Sequence, residues 1–354
     1  MQLTKSTRIT TALTFTLALA TAAVSQDSPA TAQHPEIKKS DGKPADMTKP
    51  VQVFILMGQS NMVGMGKITG GEGSLENAVK VKQKYAYLAD EGGAWAERKD
   101  VRFVRMMSGK GPLNNEWMAI KGGKIGPEFG IGHVVGNAVD APVMILKACI
   151  GNRSLGWDLL PPGSERFEEG DKVYAGYKDS PDSWAKGTEP KAIGWYAGKQ
   201  YDDDTADAKK VLADLAKHYP DATKYEVAGF FFWQGEKDGG SPVHSSHYEK
   251  NLVQFIKQLR KDFNAPNAKF VLATLGESTK GSTGNGGMVL NAQLAVDGTS
   301  GKYPEFKGNV ATVYANPLSL GGSGNGHYNG NAETYMNVGE AMGYAMTELL
   351  KAKK

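Results

Sequence analysis

The sequence predicts an α/β fold, a three-layer α/β/α sandwich built on a mainly parallel five-stranded sheet with long insertions at its rim. Three observations predict it. Short apolar runs recur along the chain, stretches of helical periodicity separate them, and the first run is apolar in succession rather than in alternation. Strand alternating with helix implies a parallel sheet covered on both sides, and a strand buried on both faces reads as a continuous apolar run. With 354 residues, 40% of them apolar, the chain can bury one large core or two ordinary ones.

The chain begins with Lys5 and Arg8, followed by a mostly apolar stretch from Ile9 to Val24 and a small-residue cleavage site at Ala23-Val24-Ser25, with a second at Ala30-Thr31-Ala32. This pattern predicts a secretory signal peptide over 1–25 and a secreted or periplasmic protein of a bacterial cell envelope. The apolar stretch is short for a membrane span, and no later segment approaches that length, so no membrane span is expected after signal cleavage. Residues 26–49, rich in Pro, Ser, Lys and Asp, read as a flexible linker, leaving 50–354 as the folded domain. Cys149 is the only cysteine, so the domain has no internal disulfide and its core must hold the fold together. The formal charge of +3 is spread without a basic stripe, which argues against a nucleic-acid partner. Oligomeric state is not legible.

The candidate strands are 51–57, 143–149, 226–233, 269–274 and 309–314, and the candidate helices are 129–138, 203–218, 247–262 and 333–351. In helix 203–218, Ala208, Val211, Leu212 and Leu215 share one face, the spacing of an amphipathic helix. Residues 64–125 and 152–200 are too long for plain connections and are expected on the carboxyl rim of the sheet, shaping a cleft.

Chemistry gathers at the strand ends. The first strand runs into Gly58-Gln59-Ser60-Asn61, which places Ser60 either as a helix N-cap or as a hydroxyl projecting at the sheet's carboxyl edge. The second strand ends near Gly151, whose N–H can face a developing oxyanion, and the third ends in Trp233-Gln234-Gly235-Glu236. Gln234 offers a side-chain N–H to the same oxyanion, and Glu236 offers a carboxylate to order the pocket. A serine nucleophile needs a base. Of six histidines, His34 lies in the linker, His133 in a helix, His218 at a helix end, and His244 and His247 just before a helix. Only His327 follows a strand's carboxyl end in a Gly-rich loop. No Cys/His cluster has metal-ligand spacing and no Gly-rich phosphate cradle is present, so neither metal nor cofactor is expected.

Taken together, Gly58-Gln59-Ser60-Asn61-Met62, Gly126-Pro127-Glu128, Gly151 with Gly156-Trp157, Trp233-Gln234-Gly235-Glu236 and the late His327 resemble the SGNH (GDSL-like) hydrolase superfamily over residues 50–351. Within it they resemble the branch of sialate O-acetylesterase-type domains and related carbohydrate acetylesterases. The resemblance implies a flavodoxin-like fold and a serine esterase that removes O-acetyl groups from carbohydrate. It implies Ser60 as nucleophile, His327 as base, and Ser60, Gly151 and Gln234 as oxyanion donors. Gln59, Asn61, Glu236 and Asn325 are then expected to support the pocket.

One departure matters. Many relatives carry an aspartate two or three residues before the histidine, where this chain has Asn325 and Gly324. The group orienting His327 is then a backbone carbonyl of 324–326, Asn325, Glu236 or Asp238. Aromatic residues of the insertions, Trp95, Trp117, Trp157, Trp184, Trp195, Tyr174 and Tyr177, are candidate sugar platforms. Two rival readings are a non-catalytic carbohydrate-binding protein of the same fold and an esterase or lipase acting on non-sugar esters.

Overall fold

Seven of the eight residues of the first strand, β1 (Val51–Gly58), are buried, and its side chains divide between two cores. Val53, Ile55 and Met57 join one, and Phe54 and Leu56 join the other. Such a strand lies inside a sheet covered on both faces. The computed structural model describes residues 1–2 and 36–352. Beyond its first two residues, the signal peptide expected over 1–25 lies outside the described residues, as does the linker over 26–35. The elements described below belong to the unit Glu36–Lys354.

The remaining strands of the central sheet are β2 (Arg98–Met107), β3 (Gly111–Met118), β4 (Val143–Ala148), β5 (Tyr225–Trp233), β6 (Lys269–Ala273) and β7 (Val310–Val313). Their order is β7-β6-β5-β1-β4-β2-β3. Every neighbouring pair is parallel except β2 and β3. All five expected strands are present, but the sheet has seven, not five. The two extra strands form a hairpin from the stretch expected to be a rim insertion. In β2 the buried Val101, Phe103, Val104 and Met106 are interrupted by Arg102 and Arg105, and β3 is polar through Asn114, Asn115 and Glu116. An edge hairpin can carry such charges because only part of it is covered, and that same polarity hides it from an apolar-run reading.

Among the described residues, five long helices cover the sheet. On one face lie α2 (Lys199–Ala213), α3 (Pro242–Asp262) and α4 (Gly284–Ala295), contributing Val211, Phe255 and Val289 to the first core. On the other lie α1 (Glu128–Ala138) and α5 (Ala332–Lys351), contributing Ile131, Val135, Met336 and Met342 to the second. The helix expected over 203–218 is broken at Asp214, with Leu215–His218 a separate turn. Its expected face is nonetheless the buried one, since Ala208, Val211, Leu212 and Leu215 all enter the core. Helix α4 had no counterpart among the expected elements, because Gly284, Gly286 and Gly287 dilute its first turn. Among the described residues no helix is long and apolar enough to cross a membrane.

The second insertion, 152–200, carries a small antiparallel sheet of Phe167–Glu169, Lys172–Tyr174 and Ser183–Ala185. Over its described part, residues 36–49, the expected linker has no helix or strand but touches the domain. Asn137 donates to the Lys38 carbonyl at 2.9 Å, Lys49 pairs with Asp140 at 2.6 Å, and Ile37 and Met47 pack on the two cores.

Register aligns the carboxyl ends of the central strands. Gly58 of β1 lies opposite Trp233 of β5, and Leu56 lies opposite Lys147 of β4. The chain therefore leaves three adjacent strands at one edge, which is where parallel sheets hold their ligands. Gly58 is required at that edge. Its φ is +147°, and a Cβ there would stand 2.3 Å from the Trp233 carbonyl oxygen. Gly58→Ala is expected to lower stability by roughly 1–3 kcal/mol, read as a lower urea midpoint at unchanged slope. A midpoint equal to that of the parent would contradict this account of the turn.

Candidate active site

Past Gly58 the backbone is extended at Gln59 and then makes one helical turn, Ser60–Val63. Gln59, not Ser60, occupies the cap position, and no side chain caps this turn. The N-cap explanation of Ser60 is thus removed. Ser60 instead lines an open cleft of about 750 Å³ at the carboxyl edge, together with Gln59, Gly151, Glu236, His244, Asn325 and His327. Gly151 comes against the serine: a Cβ built on it would lie 3.4 Å from the Ser60 Cβ. Of the expected site residues, Asn61 and Gln234 do not line the cleft.

His327 is half-buried, in the loop between β7 and α5. No side-chain hydrogen bond joins it to Ser60 among the described residues; the two share the cleft wall. Its backbone is left-handed, with φ +53°, and Tyr328 and Asn329 follow at +51° and +52°. Non-glycine residues rarely adopt this region, and three in succession persist only where the surroundings enforce it. Here Tyr328 is fully buried, its ring 6.0 Å from both Trp233 and Tyr335. The Asn329 amide donates to the Gly321 carbonyl at 2.5 Å, and Asn331 caps α5 by accepting from the Thr334 N–H.

Asn61, fully buried beside Ser60, ties the serine turn to this loop. Its Nδ2 donates to Glu236 Oε1 at 2.6 Å and to the Gly324 carbonyl at 3.0 Å, and its Oδ1 accepts from the Tyr335 hydroxyl at 2.9 Å. The Gly324 carbonyl also accepts from the His327 N–H, and the Gly324 N–H donates to Glu277 Oε2. Gly324 fits because a Cβ there would lie 2.4 Å from Glu277 Oε2 and 3.1 Å from Glu236 Oε1. Burial raises the pKa of Glu236 to about 7, with the nearby Glu277 charge acting in the same direction. Glu236 Oε2 is buried without a hydrogen-bond partner.

Gln234 sits elsewhere than expected. It is fully buried behind the cleft, and its Nε2 donates to Asp238 Oδ2 at 2.6 Å, to the Arg153 carbonyl at 2.9 Å and to Gln59 Oε1 at 3.2 Å. Its Oε1 accepts from the Tyr248 hydroxyl. An amide committed on both sides has no N–H left to aim at an oxyanion, so Gln234 is a brace of the cleft floor. Asp238 is also committed: its oxygens accept from Gln234 and from the N–H groups of Leu155 and Gly156, which fixes the loop after β4. Asp238 therefore leaves the set of groups able to orient His327, whereas Glu236 and Asn325 both face the cleft. Gln59 supports the pocket as expected, its Oε1 accepting from Gln234 and, at 3.4 Å, from the Lys237 N–H.

Sequence reasoning assigned no role to His244, which the fold carries into the cleft from the first turn of α3. Its Nε2 lies 3.2 Å from Asp182 Oδ1. Burial works against its charge, but Asp182 and the nearby Asp238 and Asp158 outweigh that, and its pKa is raised. Asp182 belongs to the second insertion, which reaches the cleft as expected of a rim segment. Nothing local in the sequence marks this pair, because its members are 62 residues apart. The aromatic platforms are not where they were expected, since none of the seven lines the cleft. Trp117 packs edge-on against Tyr219, Trp157 and Trp184 pack on a small apolar cluster, and Tyr174 stacks on Phe167. Trp195 lies under Arg153 and Lys199, Trp95 lies under Lys80, and Tyr177 donates to Asp202.

Residues 182–348 match the model of the family described as carbohydrate esterase, sialic acid-specific acetylesterase. The resemblance to sialate O-acetylesterase-type domains thus holds over the stretch that contains Glu236, His244 and His327, and the match begins after Ser60 and Gly151. No curated protein matches the sequence. Among solved structures, the chain is similar to a protein of Arabidopsis thaliana at 18% identity and a TM-score of 0.48, covering 84% of this chain and 98% of that one. A carbohydrate acetylesterase from Xanthomonas citri is similar at 12% identity and a TM-score of 0.49, covering 83% of this chain and 55% of that one. A carbohydrate esterase family 2 enzyme of Corynascus thermopiles (Myceliophthora fergusii) is similar at 12% identity and a TM-score of 0.39, covering 87% and 68%.

The raised pKa of Glu236 has a thermodynamic signature. Between the ordinary glutamate value of 4.5 and about 7, the native state holds a proton that the unfolded chain has released. Stability must therefore fall as pH rises through this window, by on the order of 3 kcal/mol from this group. Glu236→Gln is expected to remove that component, so that the variant gains on the parent in urea midpoint between pH 4.5 and pH 7.5. A stability difference independent of pH would show that Glu236 titrates normally.

Proposed function

We propose that this chain, matched over 182–348 to the sialic acid-specific acetylesterases, is a secreted serine esterase of the SGNH type that removes O-acetyl groups from carbohydrate. The observation that carries the proposal is the convergence of Ser60, Gly151 and His327 on one cleft from three distant parts of the chain. In the proposed reaction His327 accepts the Ser60 proton as the hydroxyl oxygen attacks the acetyl carbonyl carbon. The Ser60 and Gly151 N–H groups stabilise the tetrahedral oxyanion, each worth about 3–4 kcal/mol by analogy with single-donor deletions in other enzymes. The C–O bond to the sugar then breaks, and His327 returns the proton to the departing sugar oxygen. Water, deprotonated by the same imidazole, attacks the acetyl-serine and releases acetate.

Glu236 is the group proposed to orient His327. It faces the cleft with one oxygen uncommitted, while Asn61 holds the other. With a pKa of about 7 it carries only part of its charge near neutrality, so orienting power grows as pH rises above that value. A secreted or periplasmic location is proposed with the function, from the pattern of residues 1–25.

A second reading, a carbohydrate-binding protein without catalysis, is favoured by the missing Ser60–His327 hydrogen bond. A fluorophosphonate probe separates the two, because only an activated serine is labelled. Ser60→Ala and His327→Ala are each expected to lower hydrolysis of an aryl acetate by roughly 10³-fold or more with unchanged thermal unfolding. Full activity in either variant, or no labelling of the parent at Ser60, would end the esterase reading.

A further inference from the structure

Next to the Ser60 cleft lies a second cavity, of about 440 Å³, and Met65 lines both. Its apolar walls come from Met65, Phe103 and Phe129. Its charges are unbalanced. Glu128 is engaged by the buried Lys147 at 2.6 Å and by the Gly126 N–H at 3.1 Å. Glu116 is engaged by Lys121 at 2.9 Å and by the Asn114 amide at 3.0 Å. Among the described residues, two cations on the wall remain without a carboxylate. Among the described residues, Lys124 approaches only the Met65 sulfur, at 3.4 Å. Arg105, half-buried on β2, makes no side-chain hydrogen bond or ion pair among the described residues, and its Nε is buried without a partner. A buried Nε–H left unpaired is unfavourable unless an acceptor completes it, and the planar guanidinium fork suits a carboxylate.

We propose that this cavity is a subsite for an acidic sugar residue, a uronate adjoining the acetylated residue, whose carboxylate pairs with Arg105 and Lys124. The cavity's apolar walls would receive the ring's C–H face, and Met65, which lines both cavities, makes it a neighbour of the Ser60 cleft. The substrate class thus rests on the esterase reading, but its test does not.

The full chain is titrated calorimetrically with trigalacturonate and with xylotriose, a neutral trisaccharide of equal length. The parent is expected to prefer the acidic ligand. Arg105→Gln should weaken trigalacturonate binding about tenfold or more, the loss of a charge-assisted pair. Arg105→Lys should retain part of it, and the exposed Lys124→Gln should weaken it several-fold. Equal affinity of the parent for both trisaccharides would overturn the subsite, as would parental affinity in both Arg105→Gln and Lys124→Gln. Failure of the esterase reading shows separately, as absent aryl acetate hydrolysis by the parent.

Discussion

One buried amide holds the proposed catalytic arrangement together. Asn61 spans a carboxylate from the segment after β5, a carbonyl from the histidine loop and a hydroxyl from α5, which lie 175, 263 and 274 residues away in sequence. Its neighbour Ser60 lies in the same helical turn, so this amide ties the serine turn to the histidine loop. In a low-dielectric interior, a hydrogen-bonding group left unpaired costs far more than an exposed one. The histidine loop is held where Asn61 is satisfied, and its left-handed backbone at 327–329 is tolerated because the buried Tyr328 ring and this network outweigh the local strain.

Around that centre the structure separates groups that brace from groups that face the cleft. Gln234 and Asp238 are adjacent to the chemistry yet fully committed, one to Asp238, Arg153 and Tyr248, the other to the loop after β4. Together they tie Gln59 to residues 153–156 of the loop after β4. Glu236 differs because only one of its oxygens is satisfied, and burial with Glu277 nearby keeps its proton affinity high. Two acidic residues two positions apart in one motif therefore do different work, decided by which neighbours reach them. The His244–Asp182 pair, supplied by α3 and the second insertion, adds a polar contact to the lining of the same cleft.

Much of the architecture was legible because it rests on short-range pattern. Continuous apolar runs marked five of the six parallel strands, and the 3.6-residue spacing of Ala208, Val211 and Leu212 marked the buried face of α2. The β2–β3 hairpin was not legible, because Arg102 and Arg105 break its apolar pattern, nor was α4, whose glycines mask a helix stabilised by packing. Asp214 ended a helix whose periodicity continues through Leu215, a boundary that periodicity alone does not mark.

For the site, the sequence by itself determined which residues stand at the carboxyl ends of the strands: Ser60, Gly151, Glu236 and His327 follow from where apolar runs stop and glycines begin. Only the tertiary structure decided what each can do. It turned the Gln234 amide inward, assigned Asp238 to the 154–156 loop, left an oxygen of Glu236 free, and brought His244 to Asp182. The physical reason is that hydrogen-bond partners of buried polar groups are chosen across the fold, between residues scores to hundreds of positions apart, whereas pattern reports only a residue's near neighbours along the chain.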